Sequence, residues 1–127
     1  MRFLVVPILL FMAMPALAQD APPAFSRCVA CHAIGEDAGH KVGPVLNGVV
    51  GRLVGSQPDY NYSQAMLAAR DEGMEWSRET VGRYLKRPAH FLPGTTMNFY
   101  GMGDRTEIDA VIDYLASFDA EGGRVVP

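Results

Sequence analysis

Cys28-Val29-Ala30-Cys31-His32 constrains this chain more than any other stretch. Two cysteines at this spacing can share one face of a helical turn, and a histidine follows the second directly. The pattern is C-x-x-C-H, the attachment signature for a c-type haem. Each thiol can add to a haem vinyl group, and the imidazole nitrogen can reach the iron as proximal ligand. A thioredoxin-like redox pair would want a βαβ setting, and the chain shows no clear strand runs. A structural zinc site usually takes four ligands, whereas the whole sequence has two cysteines and three histidines.

A chain that encloses such a group needs little core of its own. The 127 residues make one domain, whose apolar centre alone would be marginal. With 49% apolar and 20% charged residues the chain is globular rather than disordered, and 13 glycines and 9 prolines suggest short helices joined by many loops. The formal charge of −3 gives no footprint for nucleic acid.

Residues 1–18 have the form of a secretory signal: Arg2, an apolar run from Phe3 to Met12, then Ala16-Leu17-Ala18. Pro7 and Pro15 interrupt the segment, which falls short of the about 20 apolar residues of a spanning helix. Cleavage after Ala18 is expected to leave a single domain over 19–127 with a net charge of −4, since Arg2 is lost and no acid with it. Export to the periplasm suits the chemistry, because c-type haem is attached outside the cytoplasm. No stable membrane insertion is expected.

Four helices are predicted. The first runs from about Ala24 to Ala33 and carries the motif, with Phe25 turned inward. The second covers Ser63 to Arg70, with Ser63 as N-cap. The third starts at Ser77 and stops at Arg87 before Pro88, burying Val81, Tyr84 and Leu85. The last spans Arg105 to Asp119, with capping-box spacing between Asp104 and Glu107 and a stripe of Ile108, Val111, Ile112, Leu115 and Phe118. That stripe is expected to cross the first helix.

The candidate site residues lie between these helices. Gly43-Pro44 is a rigid turn, and the Pro44 carbonyl is the best candidate acceptor for His32, whose ring needs one to fix its tautomer. Arg52 is a candidate partner for a buried haem propionate, which must be paired or neutralised. Tyr60, Tyr62 and Trp76 are either core or propionate donors, with Tyr62 the stronger of the tyrosines. His40 reads as a solvent histidine. The loop from Phe91 to Phe99 carries Met97, a soft donor suited to a His/Met iron pair. Spacing leaves Met66, Met74 and Met102 open as alternatives, with His90 as a rival ligand.

Together these residues resemble a class I cytochrome c of the mitochondrial type and its bacterial periplasmic relatives. The matching elements are the Cys28–His32 motif, Gly43-Pro44, Gly51-Arg52, Tyr62-Ser63-Gln64-Ala65, Trp76, Tyr84-Leu85, Pro88, Pro93-Gly94-Thr95-Thr96-Met97 and Tyr114-Leu115. The resemblance implies an all-α cytochrome c fold, about three to five short helices wrapped around one haem. It implies one haem c held through Cys28 and Cys31, His32 and Met97 as axial ligands, and Pro44 orienting His32. It further implies that Arg52, Tyr62, Trp76 and Thr95 serve the propionates, that Tyr84 bonds the Met97 sulfur, and that Phe99 guards the haem edge.

The implied function is a soluble monohaem electron carrier, a monomer and not an enzyme, meeting membrane or periplasmic redox proteins through an exposed haem edge. An enzyme or ligand sensor would need an open iron site instead. The chain also departs from the family pattern. The stretch before Cys28 is short, so its helix and the crossing with the last helix are expected to be stunted. Met66 stands where a polar residue is usual. The basic ring is thin, with Ala89, His90 and Thr96 in place of lysines, leaving charge near Arg27, Lys86 and Arg87 to face acidic partners. The alkaline replacement of Met97 is expected to come late or to use His90.

Overall fold

The computed structural model describes residues 19–125; the expected signal segment lies outside the described residues. A 3-10 helix over Pro23–Arg27 is followed by four α-helices: α1 (Gln64–Asp71), α2 (Arg78–Lys86), α3 (Pro88–Phe91) and α4 (Arg105–Ala116). The described residues contain only isolated bridges, Leu53 with Glu75 and Phe118 with Arg124, and no named strand.

The first helix departs from expectation. In place of a helix over 24–33 there is the 3-10 segment and then a hydrogen-bonded turn. In that turn the Cys31 amide donates to Cys28 O at 3.1 Å and the His32 amide to the same oxygen at 2.9 Å. Pro22 and Pro23 offer no amide to a preceding turn. Beyond the motif the carbonyls are claimed from afar: Gly43 N donates to Cys31 O at 2.7 Å and Leu46 N to Ala33 O at 3.0 Å. Loop amides thus take the acceptors that a continuing helix would need.

The other helices follow their local signals. The Ser63 hydroxyl accepts from Met66 N in α1, and Ser77 and Thr80 form a reciprocal capping box in α2. In α4 the Asp104 carboxylate accepts from the amides of Thr106 and Glu107. The reciprocal half of that expected box is missing, because the Glu107 carboxylate turns outward to Arg27 at 3.3 Å. α3 was not expected: Pro88 opens it at a position where a proline costs no hydrogen bond.

The core lies where α4 meets both the 3-10 helix and α2. Ile108, Val111, Ile112, Leu115 and Phe118 are all buried, as their spacing demands. Phe25 meets Tyr114 edge to face at 4.8 Å, so a single turn replaces the stunted first helix in this crossing. The long segment before α1 is held by backbone pairing rather than helices. Gly51 N donates to Trp76 O at 2.6 Å, Trp76 N to Arg52 O at 2.8 Å and Val54 N to Met74 O at 2.9 Å. The C-terminal loop closes onto this segment at Gly122, where a Cβ would lie 2.1 Å from Gly35 O and φ is +84°.

Candidate functional site

These elements surround a cavity of about 370 Å³. One wall is the motif turn: Cys28 is half-buried, Cys31 exposed, and both thiols are free. Burial pushes the Cys28 thiol up, with Arg27 opposing it. No cluster of His, Cys, Asp or Glu that could hold a metal ion is found among the described residues, which leaves the zinc reading of the motif without further ligands.

His32 lies in the same wall. Its Nδ1 is 2.7 Å from Pro44 O. A carbonyl only accepts, so Nδ1 carries the proton and Nε2 keeps its lone pair. Burial, with Lys41 and Arg52 adding to it, lowers the pKa of His32 against the Pro44 bond, which holds the ring neutral. Gly43 sits against the ring: a Cβ there would be 2.3 Å from Cε1. The wall is therefore shaped for an uncharged imidazole with one free nitrogen in one orientation.

The loop after α3 also lines the cavity, through Thr95 to Phe99. Of the four methionines considered, Met97 and Met66 line the cavity, whereas Met74 and Met102 do not. Met97 N donates to Thr95 Oγ1 at 3.3 Å, and the Tyr84 hydroxyl pairs with the same oxygen at 2.6 Å. The bond expected from Tyr84 to the Met97 sulfur is replaced here by this bond to Thr95. Thr95 is tied to Tyr84 as well as facing the cavity, and burial raises the Tyr84 pKa. His90 is exposed on α3 and does not line the cavity.

A polar corner completes the lining. Arg52 donates through Nη1 to Asn47 O at 2.8 Å and through Nη2 to Val45 O at 3.3 Å. Its Nε is buried without a partner. A buried orphaned donor on a half-buried cation is unfavourable, and it fits an anionic group carried by whatever fills the cavity. Tyr62 lines the same corner; its oxygen accepts from Gln57 N at 3.1 Å, leaving its O–H to donate. Tyr60 is spent elsewhere, donating to Val42 O at 2.6 Å. Trp76 is buried beside Tyr84, with ring centroids 5.0 Å apart, and also lines the cavity.

His40 corrects the sequence reading. It is not a solvent histidine but a brace between loops: Nε2 donates to Pro58 O at 2.8 Å, and Nδ1 accepts from Val45 N at 3.0 Å. Its partner carbonyl is distant in sequence, so no local signal revealed it. Asn47 was also missed. It is buried, and its amide exchanges bonds with Gly35 N at 2.8 Å and Gly35 O at 2.9 Å while its carbonyl holds Arg52.

The donor set is thus two thiols, one neutral imidazole with a free nitrogen, the thioethers of Met66 and Met97 and one unsatisfied guanidinium, around a mostly apolar cavity. These groups fit a porphyrin with carboxylate substituents. Comparison with known proteins points the same way. The family model described as Cytochrome c matches residues 18–119. Cytochrome c2 of Afifella marina is 43% identical over 98 residues, covering 77% of this chain and 79% of that protein. Cytochrome c2 of Agrobacterium tumefaciens is 49% identical over 92 residues, covering 72% and 83%. Cytochrome c-550 of Bradyrhizobium diazoefficiens is 45% identical over 98 residues, covering 77% and 70%. Among solved structures, cytochrome c2 from Rhodospirillum centenum superposes with a TM-score of 0.72 at 35% identity, covering 76% of this chain and 92% of that one.

Proposed function

The chain belongs to the cytochrome c family, with haem c held through Cys28 and Cys31 and single-electron transfer as its work, and from that premise we propose how its residues carry out that work. When bound, the haem iron takes up and gives back one electron. His32, through Nε2, and Met97, through its sulfur, would hold the iron. The observation that carries this assignment is the Nδ1–H bond to Pro44, which leaves Nε2 as the only basic nitrogen of the ring.

The remaining side chains act on charge and water. Arg52 and Tyr62 offer an Nε–H and an O–H to the propionates, with Trp76 and Thr95 completing that corner. Tyr84, fixed through Thr95, braces the backbone at Met97. The apolar wall of Phe25, Leu46, Val49, Leu85 and Leu115 keeps water out, which disfavours the higher charge of the oxidised state. Phe99 also lines the cavity.

The chain works in the periplasm as a monomer over 19–127, after removal of 1–18. The secretory pattern supports export and processing; among the described residues no helix is long and apolar enough to cross a membrane. Its donors and acceptors are redox proteins met in brief encounters. The test is the spectrum of protein matured in the periplasm. The weak near-infrared sulfur-to-iron band is expected in the oxidised form, with no carbon monoxide binding to the reduced form at neutral pH. A high-spin oxidised spectrum with rapid carbon monoxide uptake would instead mean an open site and an enzyme or sensor. Intact mass reads the processed N-terminus.

A further inference from the structure

We propose that the Met66 thioether is a reserve iron ligand, which takes the position of Met97 when the loop that carries Met97 moves away. This rests on the carrier reading and adds a second sulfur donor to it.

Two thioethers line one cavity, and their backbones are held very differently. Met97 lies on a loosely tied segment. Among the described residues, the stretch 96–101 makes one backbone–backbone bond, Phe99 N to Met97 O at 3.0 Å, and that bond is internal to the loop. Met97 N has only a long bond to Thr95 Oγ1 at 3.3 Å. A segment with so few bonds opens at lower cost than a packed helix.

Met66 stands in the first turn of α1, where its amide donates to the Ser63 hydroxyl at 3.1 Å and Leu67 N donates to Ser63 O at 3.0 Å. Its Cγ lies against Gly55, where a Cβ would be 3.4 Å away. α1 also begins beside the Met97 loop, since a Cβ on Gly94 would lie 3.2 Å from the Ala65 Cβ. Met66 is thus an anchored donor next to a movable one. A methionine side chain is long and unbranched, so its sulfur can travel while the helix stays in place.

The other donors near the cavity are committed. Cys28 and Cys31 carry the haem, and His32 is aimed by Pro44. Tyr60 donates to Val42 O, and the Tyr84 hydroxyl is paired with Thr95. His40 has both ring nitrogens engaged. His90, Lys41 and Lys86 do not line the cavity. Met66 is the soft donor left over.

The exchange breaks one iron–sulfur bond and makes another. No electron moves, and a thioether has no proton to release. It is therefore independent of pH near neutrality, unlike replacement by a lysine, which must first lose a proton. The iron stays closed to added ligands while the loop is displaced.

The test compares holoprotein of wild type, Met97→Leu and Met66→Leu/Met97→Leu. Oxidised Met97→Leu is expected to keep a near-infrared sulfur-to-iron band, constant over about pH 6 to 8. With methyl-labelled methionine, the reduced single variant should show one methyl resonance moved strongly upfield by the haem ring, and the double variant none. Carbon monoxide should bind the single variant about tenfold or more weakly than the double variant, as expected if at most about a tenth of its iron is open. Met97→Ala, with its own Met66→Leu double, repeats the comparison with the space at 97 cleared. Loss of the band and of the upfield methyl in both single variants would overturn the proposal, as would equal carbon monoxide affinity in single and double variants or a band that survives in the doubles. A low-spin Met97→Leu without the band would also overturn it, by giving the position to His90 or a lysine. Wild type reports the carrier reading separately: absence of its own band would overturn both, and its presence confines any failure to the reserve ligand.

Discussion

Replacing Gly43 by alanine should dislodge His32 while leaving His32 itself unmutated. The alanine Cβ would lie 2.3 Å from His32 Cε1, 2.7 Å from Nδ1 and 2.8 Å from Nε2. Carbon atoms settle about 3.5–4.0 Å apart, so the ring must retreat by roughly 1 Å or more. Gly43 has no positive φ, so the backbone itself accepts alanine and the clash is the whole effect. A retreat of that size stretches the 2.7 Å bond to Pro44 beyond hydrogen-bonding range. Losing that bond costs about 0.5–1.5 kcal/mol, and overpacking the wall costs about 1–3 kcal/mol. The expected loss is about 1.5–4.5 kcal/mol, read as a shift of the urea midpoint of the oxidised holoprotein. The near-infrared band should weaken with it. Gly39→Ala is the control, since nothing lies within 4 Å of its Cβ, and it should stay within about 0.5 kcal/mol of wild type. If Gly43→Ala matched that control in both stability and spectrum, the steric account of how His32 is aimed would be wrong.

Three further outcomes follow from the same geometry. His40→Ala leaves Pro58 O and the buried Val45 amide without their partner and should cost about 1–3 kcal/mol in a denaturant melt; a neutral effect would mean the loops hold without this brace. Arg52→Ala frees the carbonyls of Asn47 and Val45 and should cost about 2–4 kcal/mol. The same variant should also shift the midpoint potential in a spectroelectrochemical titration, and an unmoved potential would remove Arg52 from the propionate corner. Burial raises the Tyr84 pKa above 10.0, with the Thr95 bond opposing, so the neutral phenol stabilises the fold below 10.0 and that contribution is lost as pH rises through the folded value. Tyr84→Phe should therefore show a flatter fall of stability above 10.0 than wild type, and parallel curves would refute it.

The sequence was informative wherever a residue's role is settled by its near neighbours. Ser63, Ser77 and Asp104 cap helices because a side-chain oxygen reaches amides two or three residues on, within a span that sequence displays. The stripe from Ile108 to Phe118 is buried because helical period alone puts those side chains on one face. Cys28, Cys31 and His32 declare their chemistry by spacing, and the Pro44 acceptor was legible because a proline fixes the turn it stands in.

Other features depend on loops closing on one another, and loop contacts have no period. Distant amides claimed the carbonyls of Cys31 and Ala33, so the motif sits on a turn rather than a helix. The identity of the methionines facing the cavity, the turn of Tyr84 toward Thr95, the bracing by His40 and the capture of Glu107 by Arg27 all join segments far apart in the chain. The sequence by itself determined which groups were available and where the side-chain-capped helices α1, α2 and α4 would start. Tertiary structure decided which of those groups meet across the cavity and which cations stay unpaired, because both depend on distances that only the closed chain sets.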